Sequence, residues 1–351
     1  MDNGVSVYTG LNCSLEENLE LIDTAASLGL KRLFTSVLIP EAAEFQAEFA
    51  TILIAAVERD FEIIIDVTPE TIADFDFALD FEQITPRLDD GFNPRQIAAL
   101  SRIRRIMLNA STITEELLIT LADLEADFSN ISALHNFYPH IYTGLELNYF
   151  LQQNHLLKSF NISVGAFVAS LEGRRRPPFE EGLPTVEITR NFTVDFTARY
   201  LTALGVDFIM LSDSLPTLAE CSSITKLNRG EIILEIHTVT SDATSLKLLS
   251  QKFQSRPEIS DDVIRTVNSR TLTKELGLII NPDNAPQPRD LGDITIDNSK
   301  FGRYMGEVQI VKSVLPPDSR VNLVAQVSKT DLPILNILAT HTQKIFSFRF
   351  V

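Results

Sequence analysis

The chain of 351 residues is 44% hydrophobic with a mean hydropathy of +0.08, the composition of an ordinary globular protein long enough for two domains. Its 47 acidic against 30 basic residues give a formal charge of −17, which excludes the basic stripe of a nucleic-acid or anionic-membrane surface and leaves any phosphorylated ligand in need of a local cationic pocket. No apolar run approaches the roughly 20 residues that cross a bilayer, Met1-Asp2-Asn3-Gly4 has no signal-peptide pattern, and Cys13 and Cys221 have neither metal-ligand spacing nor a disulfide framework, so a cytoplasmic protein is expected.

In chain order, short β-rich runs alternate with amphipathic helical runs. Val5–Tyr8 reads as a strand, and Ser14 with Glu17 forms a capping box for the helix that follows. Arg32–Val37 is the next strand. It leads to a helix opening near Pro40, in which Phe45, Phe49, Ile52 and Ala56 recur at helical spacing. Glu62–Val67 is a nearly all-apolar strand carrying Asp66, and Thr68-Pro69 supplies an N-cap and a first-turn proline. Ile84–Leu88 closes on Asp89-Asp90-Gly91-Phe92. Arg105–Asn109 precedes a helix that Thr112 and Glu115 are expected to cap.

The strand Ile131–Phe137 turns polar and aromatic at its end, where His135, Asn136, Tyr138, Tyr142 and Thr143 crowd together before a helix from about Gly144 to Phe160. Ser163–Val168 follows, then a long loop with Arg174-Arg175-Arg176, a helix over Thr185–Leu204, the strand Asp207–Leu211 and a helix after Asp213. Buried parallel strands read as continuous apolar runs, as Ile63–Val67 and Phe208–Leu211 do. Eight strand–helix repeats in a little over two hundred residues suit a closed (β/α)8 barrel. A doubly wound sheet would want G-x-G-x-x-G after the first strand, and Tyr8-Thr9-Gly10-Leu11-Asn12 is not that.

After Gly230 the texture changes. Glu231–Thr240 and a brief helix over Ser245–Phe253 precede short β runs at Gly277–Ile280, Asp293–Ile296, Gly306–Val311, Val321–Val327 and Ile345–Phe350. Turns such as Asn281-Pro282-Asp283-Asn284 separate several of them. This predicts a barrel domain over 1–229 and a smaller, mostly β domain over 230–351.

Function in such a barrel sits at the C-terminal ends of its strands. Those positions hold Tyr8, Ser36, Asp66, Asp89, Asn109, the Asn136–Tyr138 group, the loop after Val168, and Asp213. The five histidines are scattered and no G-x-S-x-G elbow appears. A carboxylate-and-amide site remains, and paired carboxylates are the usual basis of glycoside cleavage. Asp66 and Asp89 end successive strands, and Glu187 opens the helix after the long loop. Each has a plainer reading: Asp66 as a helix cap, Asp89 as a turn former, Glu187 as a partner of a helix dipole.

The motifs also add up to a resemblance. GVSVY at Gly4–Tyr8, RLFTS at Arg32–Ser36, DVTP at Asp66–Pro69, RLDDGF at Arg87–Phe92, LNAST at Leu108–Thr112, HNFYP at His135–Pro139 and EGLPTVE at Glu181–Glu187 occur in order. SRPE at Ser255–Glu258, IDN at Ile296–Asn298, RYMGEVQI at Arg303–Ile310 and LPPDSRVN at Leu315–Asn322 continue them. By these the chain resembles the bacterial 6-phospho-N-acetylmuramidases, glycosidases of peptidoglycan recycling built from a TIM barrel and a cyclophilin-like β domain. The resemblance implies hydrolysis of a β-glycosidic bond to N-acetylmuramic acid 6-phosphate in the cytoplasm. A phosphorylated amino-sugar is the partner it implies, with no metal or organic cofactor.

Two of Asp66, Asp89 and Glu187 are then the expected catalytic carboxylates. Tyr8, Asn109, Asn136, Tyr138 and Asp213 are expected to hold the sugar, and Arg176 and Arg190 its phosphate or lactyl carboxylate. The chain departs from the family pattern at Pro177, His140 and Thr189, where glycine, arginine and histidine are expected. A non-catalytic sugar-phosphate-binding protein on the same scaffold and a phosphosugar isomerase or lyase are the alternatives. An aldolase would want a lysine at a strand end, and none of these ends carries one.

Overall fold

A computed structural model describes residues 1–36, 46–72, 81–283 and 285–351. The chain divides into two compact units, Met1–Leu201 with Gly205–Arg229, and Thr202–Leu204 with Gly230–Val351.

The first unit is a closed barrel of eight parallel strands in sequential order. These are β1 (Gly4–Ser6), β2 (Arg32–Ser36), β3 (Glu62–Val67), β4 (Ile84–Leu88), β5 (Ile106–Asn109), β6 (Ile131–Leu134), β7 (Ser163–Val168) and β8 (Phe208–Leu211). β8 closes on β1 with Gly4 opposite Met210. Helices α1 (Leu15–Ser27), α2 (Gln46–Glu58), α3 (Pro94–Ser101), α4 (Glu115–Asp123), α5 (Leu147–Ser159), α6 (Val194–Ala203) and α7 (Leu218–Thr225) connect them.

Side chains alternate across a strand, and one set from each strand fills the barrel. Phe34, Ile64, Met107, Leu134, Phe167, Phe208 and Met210 form a buried cluster with Tyr8. Near its upper end Phe34, Phe137 and Phe167 meet edge to face, with centroids 5.0 to 6.1 Å apart. Such contacts add roughly 0.5–1.5 kcal/mol per pair beyond area burial.

Local chemistry sets the element ends. Ser14 and Glu17 make both bonds of the expected capping box on α1. On α4 the cap is Thr114, whose hydroxyl accepts from Leu117 N, in place of the expected Thr112. Strand β6 stops at Leu134, short of Phe137, because after His135 N, which still reaches Gly165 O, its amides leave the ladder. Asn136 N donates to Ser111 Oγ at 2.9 Å and Tyr138 N to Pro184 O at 3.1 Å. Helix α5 begins three residues later than expected, since Gly144 N and Leu145 N are taken by Glu187 and by Thr185 O. The helix expected from Thr185 is instead a one-turn 3-10 helix, Glu187–Thr189, followed by α6. The expected strand end at Val37, the helix opening near Pro40 with Phe45, and Asn284 lie outside the described residues, as does much of the helix expected after Thr68-Pro69. There Thr68 Oγ1 accepts from Thr71 N at 3.3 Å.

The second unit is built on a seven-stranded sheet. Its elements are β9 (Glu231–Thr238), α8 (Ala243–Leu249), β10 (Phe253–Gln254), β11 (Val263–Arg265), α9 (Ser269–Glu275), β12 (Asp293–Asp297), β13 (Val308–Val311), β14 (Val321–Val327), α10 (Leu332–Thr340) and β15 (Ile345–Phe350). The order is β10-β15-β9-β14-β12-β13-β11, antiparallel except where β15 lies parallel to β9. The strand expected over Gly277–Ile280 is an irregular connection after α9, opened by Gly277 at φ +64°. No described helix is long and apolar enough to cross a membrane.

Candidate active site

Two residues beyond the inward apolar position of several barrel strands comes a polar one: Phe34 then Ser36, Ile64 then Asp66, Met107 then Asn109, Leu134 then Asn136. The period of two therefore raises a polar layer directly on the apolar core at the C-terminal end of the barrel. Asp66 is 8% exposed, Asn109 6% and Arg87 2%.

Asp66 and Arg87 stand opposite each other across β3 and β4, and Arg87 Nη1 donates to Asp66 Oδ1 at 2.7 Å. The rest of the guanidinium is also engaged. Nη2 reaches Asn136 Oδ1 at 2.5 Å and Leu134 O at 3.1 Å, and Nε reaches Leu134 O at 3.3 Å. Burial pushes the Asp66 carboxyl up, Arg87 pulls it down, and nearby Asp89 raises it again; the outcome is a raised pKa. Asp89 is half-buried at the exit of β4, with Asn109 Nδ2 3.5 Å from its Oδ1.

A buried relay supports this pair from behind. His135 is fully buried, with Nε2 2.9 Å from Asn154 Oδ1 and Nδ1 3.2 Å from Ser111 Oγ. With the amide oxygen as acceptor the proton belongs on Nε2, so Ser111 donates to Nδ1 and accepts from Asn136 N. Asn136 then holds Arg87, and Arg87 holds Asp66. Burial lowers the His135 pKa to about 4, so the ring is neutral. Asn136 is an expected site residue, whereas Arg87, Ser111, His135 and Asn154 are not, although an arginine inside the apolar run ITPRL calls for a buried partner.

Arg176 has a different environment. Its guanidinium lies over the rings of Tyr8 and Phe137, at 5.0 and 4.8 Å, and its Nε is buried without a hydrogen-bond partner among the described residues. No described carboxylate forms an ion pair with it. The loop that delivers it is tied down by two buried acids. Asp213 accepts from Ser170 N at 2.8 Å and from Arg176 N at 3.0 Å. Glu220 accepts from Ser170 Oγ, Leu171 N, Glu172 N and Thr217 N. Gly173 fits because a Cβ there would meet Leu215 O at 2.4 Å. Tyr8 donates to Ser212 O at 2.9 Å, and burial pushes its pKa to about 12. Asp213, expected to meet the sugar, is fully buried with its oxygens on the Ser170 and Arg176 backbone amides.

Glu187, expected as a catalytic carboxylate, and Arg190, expected to hold the phosphate or lactyl carboxylate, are paired with each other. Arg190 Nε and Nη2 form a two-pronged bond to Glu187 at 2.7 and 2.6 Å. Nη1 reaches Gly182 O, and Nη2 also reaches Tyr138 O and His140 O. Every nitrogen is engaged and the side chain is 4% exposed, so Arg190 has no donor left for a substrate oxyanion. Glu187 further accepts from Tyr142 N at 3.0 Å and Gly144 N at 2.7 Å, and Arg190 above all lowers its pKa to about 2. The pair clamps the 138–144 loop; a Cβ on Gly144 would meet Glu187 Oε2 at 2.6 Å. Tyr138 is half-buried beside Ser111, and burial raises its pKa.

The arginine run divides by role. Arg174 is paired with Glu17 at 2.8 Å, and Arg175 Nε donates to Ser170 O. Of the departures, His140 is exposed with its ring edge on Phe179, and Thr189 is buried with its hydroxyl on Val186 O.

The family described as 6-phospho-N-acetylmuramidase matches over residues 3–226 for its N-terminal part and 231–350 for its C-terminal part. Two solved structures are similar along nearly the whole chain. An uncharacterized B. cereus protein is 26% identical at a TM-score of 0.83, covering 99% of this chain and 100% of that one. A conserved Enterococcus faecalis protein of unknown function is 28% identical at a TM-score of 0.64, covering 100% of this chain and 96% of that one. No curated protein matches.

Proposed function

Because the chain belongs to the 6-phospho-N-acetylmuramidase family, we propose that it is a cytoplasmic glycoside hydrolase that cleaves the β-glycosidic bond of disaccharides carrying N-acetylmuramic acid 6-phosphate, in peptidoglycan recycling. The carrying observation is the pairing of a buried carboxyl of raised pKa, Asp66, with an uncommitted guanidinium, Arg176, at one barrel mouth. A carboxyl pushed upward by burial is the kind that protonates a leaving oxygen. Asp66 is therefore the acid of this proposal, and the more open Asp89 is the base or nucleophile.

Arg176 takes the phosphate, and Tyr138, Asn109 and Asn136 face the sugar. Glu187 and Arg190 hold the loop that carries Tyr138, and they neither transfer protons nor bind the anion. Purified protein incubated with a 6-phospho-muramyl disaccharide should release N-acetylmuramic acid 6-phosphate. Loss of the acid or its partner typically costs about 10²–10⁴-fold, so Asp66→Asn and Asp89→Asn should each fall in that range. Near-normal turnover in both variants would remove the assignment.

The ion pair between Asp66 and Arg87 favours a second reading, a non-catalytic sugar-phosphate-binding protein. Tight binding of the intact disaccharide with no release would select it.

A further inference from the structure

In the second unit, one end of the sheet gathers guanidinium groups from separate parts of the chain. Arg265 ends β11, Asp297 ends β12, and Glu307 immediately precedes β13, which runs antiparallel to both. Arg256 follows the bridge between Ser255 and Thr266, and Arg270 lies in α9. Three cations converge on Glu307, which is 2% exposed. Arg265 Nε is 2.7 Å from Oε1, Arg256 Nη2 is 3.5 Å from the same oxygen, and Arg270 Nε is 3.7 Å from Oε2. A buried carboxylate is satisfied by one well-placed guanidinium. Three on one acid is an excess, and it occurs in a chain of formal charge −17.

Nor does Glu307 use them up. Arg270 makes no hydrogen bond to any described residue; its guanidinium sits 5.3 Å from the Tyr304 ring. Arg265 commits only its Nε, and about a third of each of these two side chains is open to solvent. Arg256 gives its Nε to Thr266 O, and among the described residues its side chain otherwise pairs with Glu307 and the exposed Glu258, the latter at 3.7 Å. Arg303 adds a further cation 5.1 Å from the Tyr304 ring. Asp297, whose pKa is pushed up to about 7 by burial and then by Glu307, offsets little of this charge below neutral pH.

From this geometry we infer that Arg256, Arg265 and Arg270, set around Glu307 beside Tyr304, form an anion site for a dianionic phosphate, free or as a monoester. Donors from three chain segments suit the three terminal oxygens of a tetrahedral phosphate, whereas a planar carboxylate is met by one fork. The site uses residues of the second unit alone and does not depend on the glycosidase reading.

The test titrates the full chain carrying Arg176→Gln, which removes the phosphate ligand proposed at the barrel mouth. Inorganic phosphate, glucosamine 6-phosphate and acetate serve as calorimetric probes. Phosphate or its monoester should still bind, and the tighter of the two identifies the source. Adding Arg270→Gln should weaken binding at least tenfold, and adding Arg265→Lys, which keeps the charge and loses the fork, should weaken it measurably. Because Arg270 has no hydrogen bond to lose, its variant should melt within a few degrees of the parent. Binding unaffected by Arg270→Gln, absent once Arg176 is replaced, or equally tight for acetate would overturn the inference.

Discussion

Arg176 and Arg190 lie fourteen positions apart on one barrel and have opposite fates. Arg190 is consumed by Glu187 and four carbonyls, whereas Arg176 rests between two aromatic rings with a buried N–H unbonded. A charge-assisted bond contributes about 1.5–3 kcal/mol, which corresponds to roughly ten- to a hundredfold in affinity. Arg176→Gln should raise KM for the phosphorylated disaccharide by that factor while leaving kcat within a few-fold. Arg190→Gln should lower thermal stability and turnover together, since it unties the 138–144 loop. Steady-state kinetics beside thermal melts distinguish the two patterns.

At the scale of elements, the barrel was legible because burial on both faces writes strands as apolar runs, and Glu62–Val67, Ile84–Leu88 and Ser163–Val168 begin and end where periodicity places them. Three misplaced boundaries share one cause. The amides of Asn136 and Gly144 bond to partners 25 and 43 positions away, the Thr185 hydroxyl donates to Asn136 O 49 positions away, and no local pattern records such bonds. The same blindness hid Arg87 and the relay through His135, which exist only once strands β3 to β6 stand side by side. Short pieces such as β10 and β11 carried too few residues for a periodic signal. The aromatic group at the top of the barrel yields a direct test. Phe167 is fully buried against Phe34 and Phe137, so Phe167→Ala should cost roughly 3–5 kcal/mol in chemical denaturation.

Across the whole molecule, the two units respond to pH through opposite groups. His135 is neutral when folded, with its pKa lowered from 6.5 to about 4. The unfolded chain binds the extra proton, so the stability His135 contributes is complete above pH 6.5 and is lost as pH falls toward 4, on the order of 3 kcal/mol in all. Asp297 runs the other way, from 3.8 up to about 7. Its folded form keeps the proton, so the stability Asp297 contributes is complete below pH 4 and declines as pH rises to 7. Melting curves of His135→Gln and Asp297→Asn beside the parent should show each slope flattened within its own window. A parent slope surviving unchanged in either variant would mean that another group sets it.

Barrel closure has a consequence for biosynthesis. Strand β1 bonds only to β2 until β8 arrives, and buried Asn3 waits for Ile209 N and Ile224 O. In the second unit the first strand, β9, has the last strand, β15, as its parallel neighbour. As the chain emerges from the ribosome, β2 to β7 can pair progressively with strands just made, yet neither unit can seal until its final strand is out. A nascent chain stalled before residue 208 presents an open barrel with two raw edges, the form that a chaperone or a protease would meet.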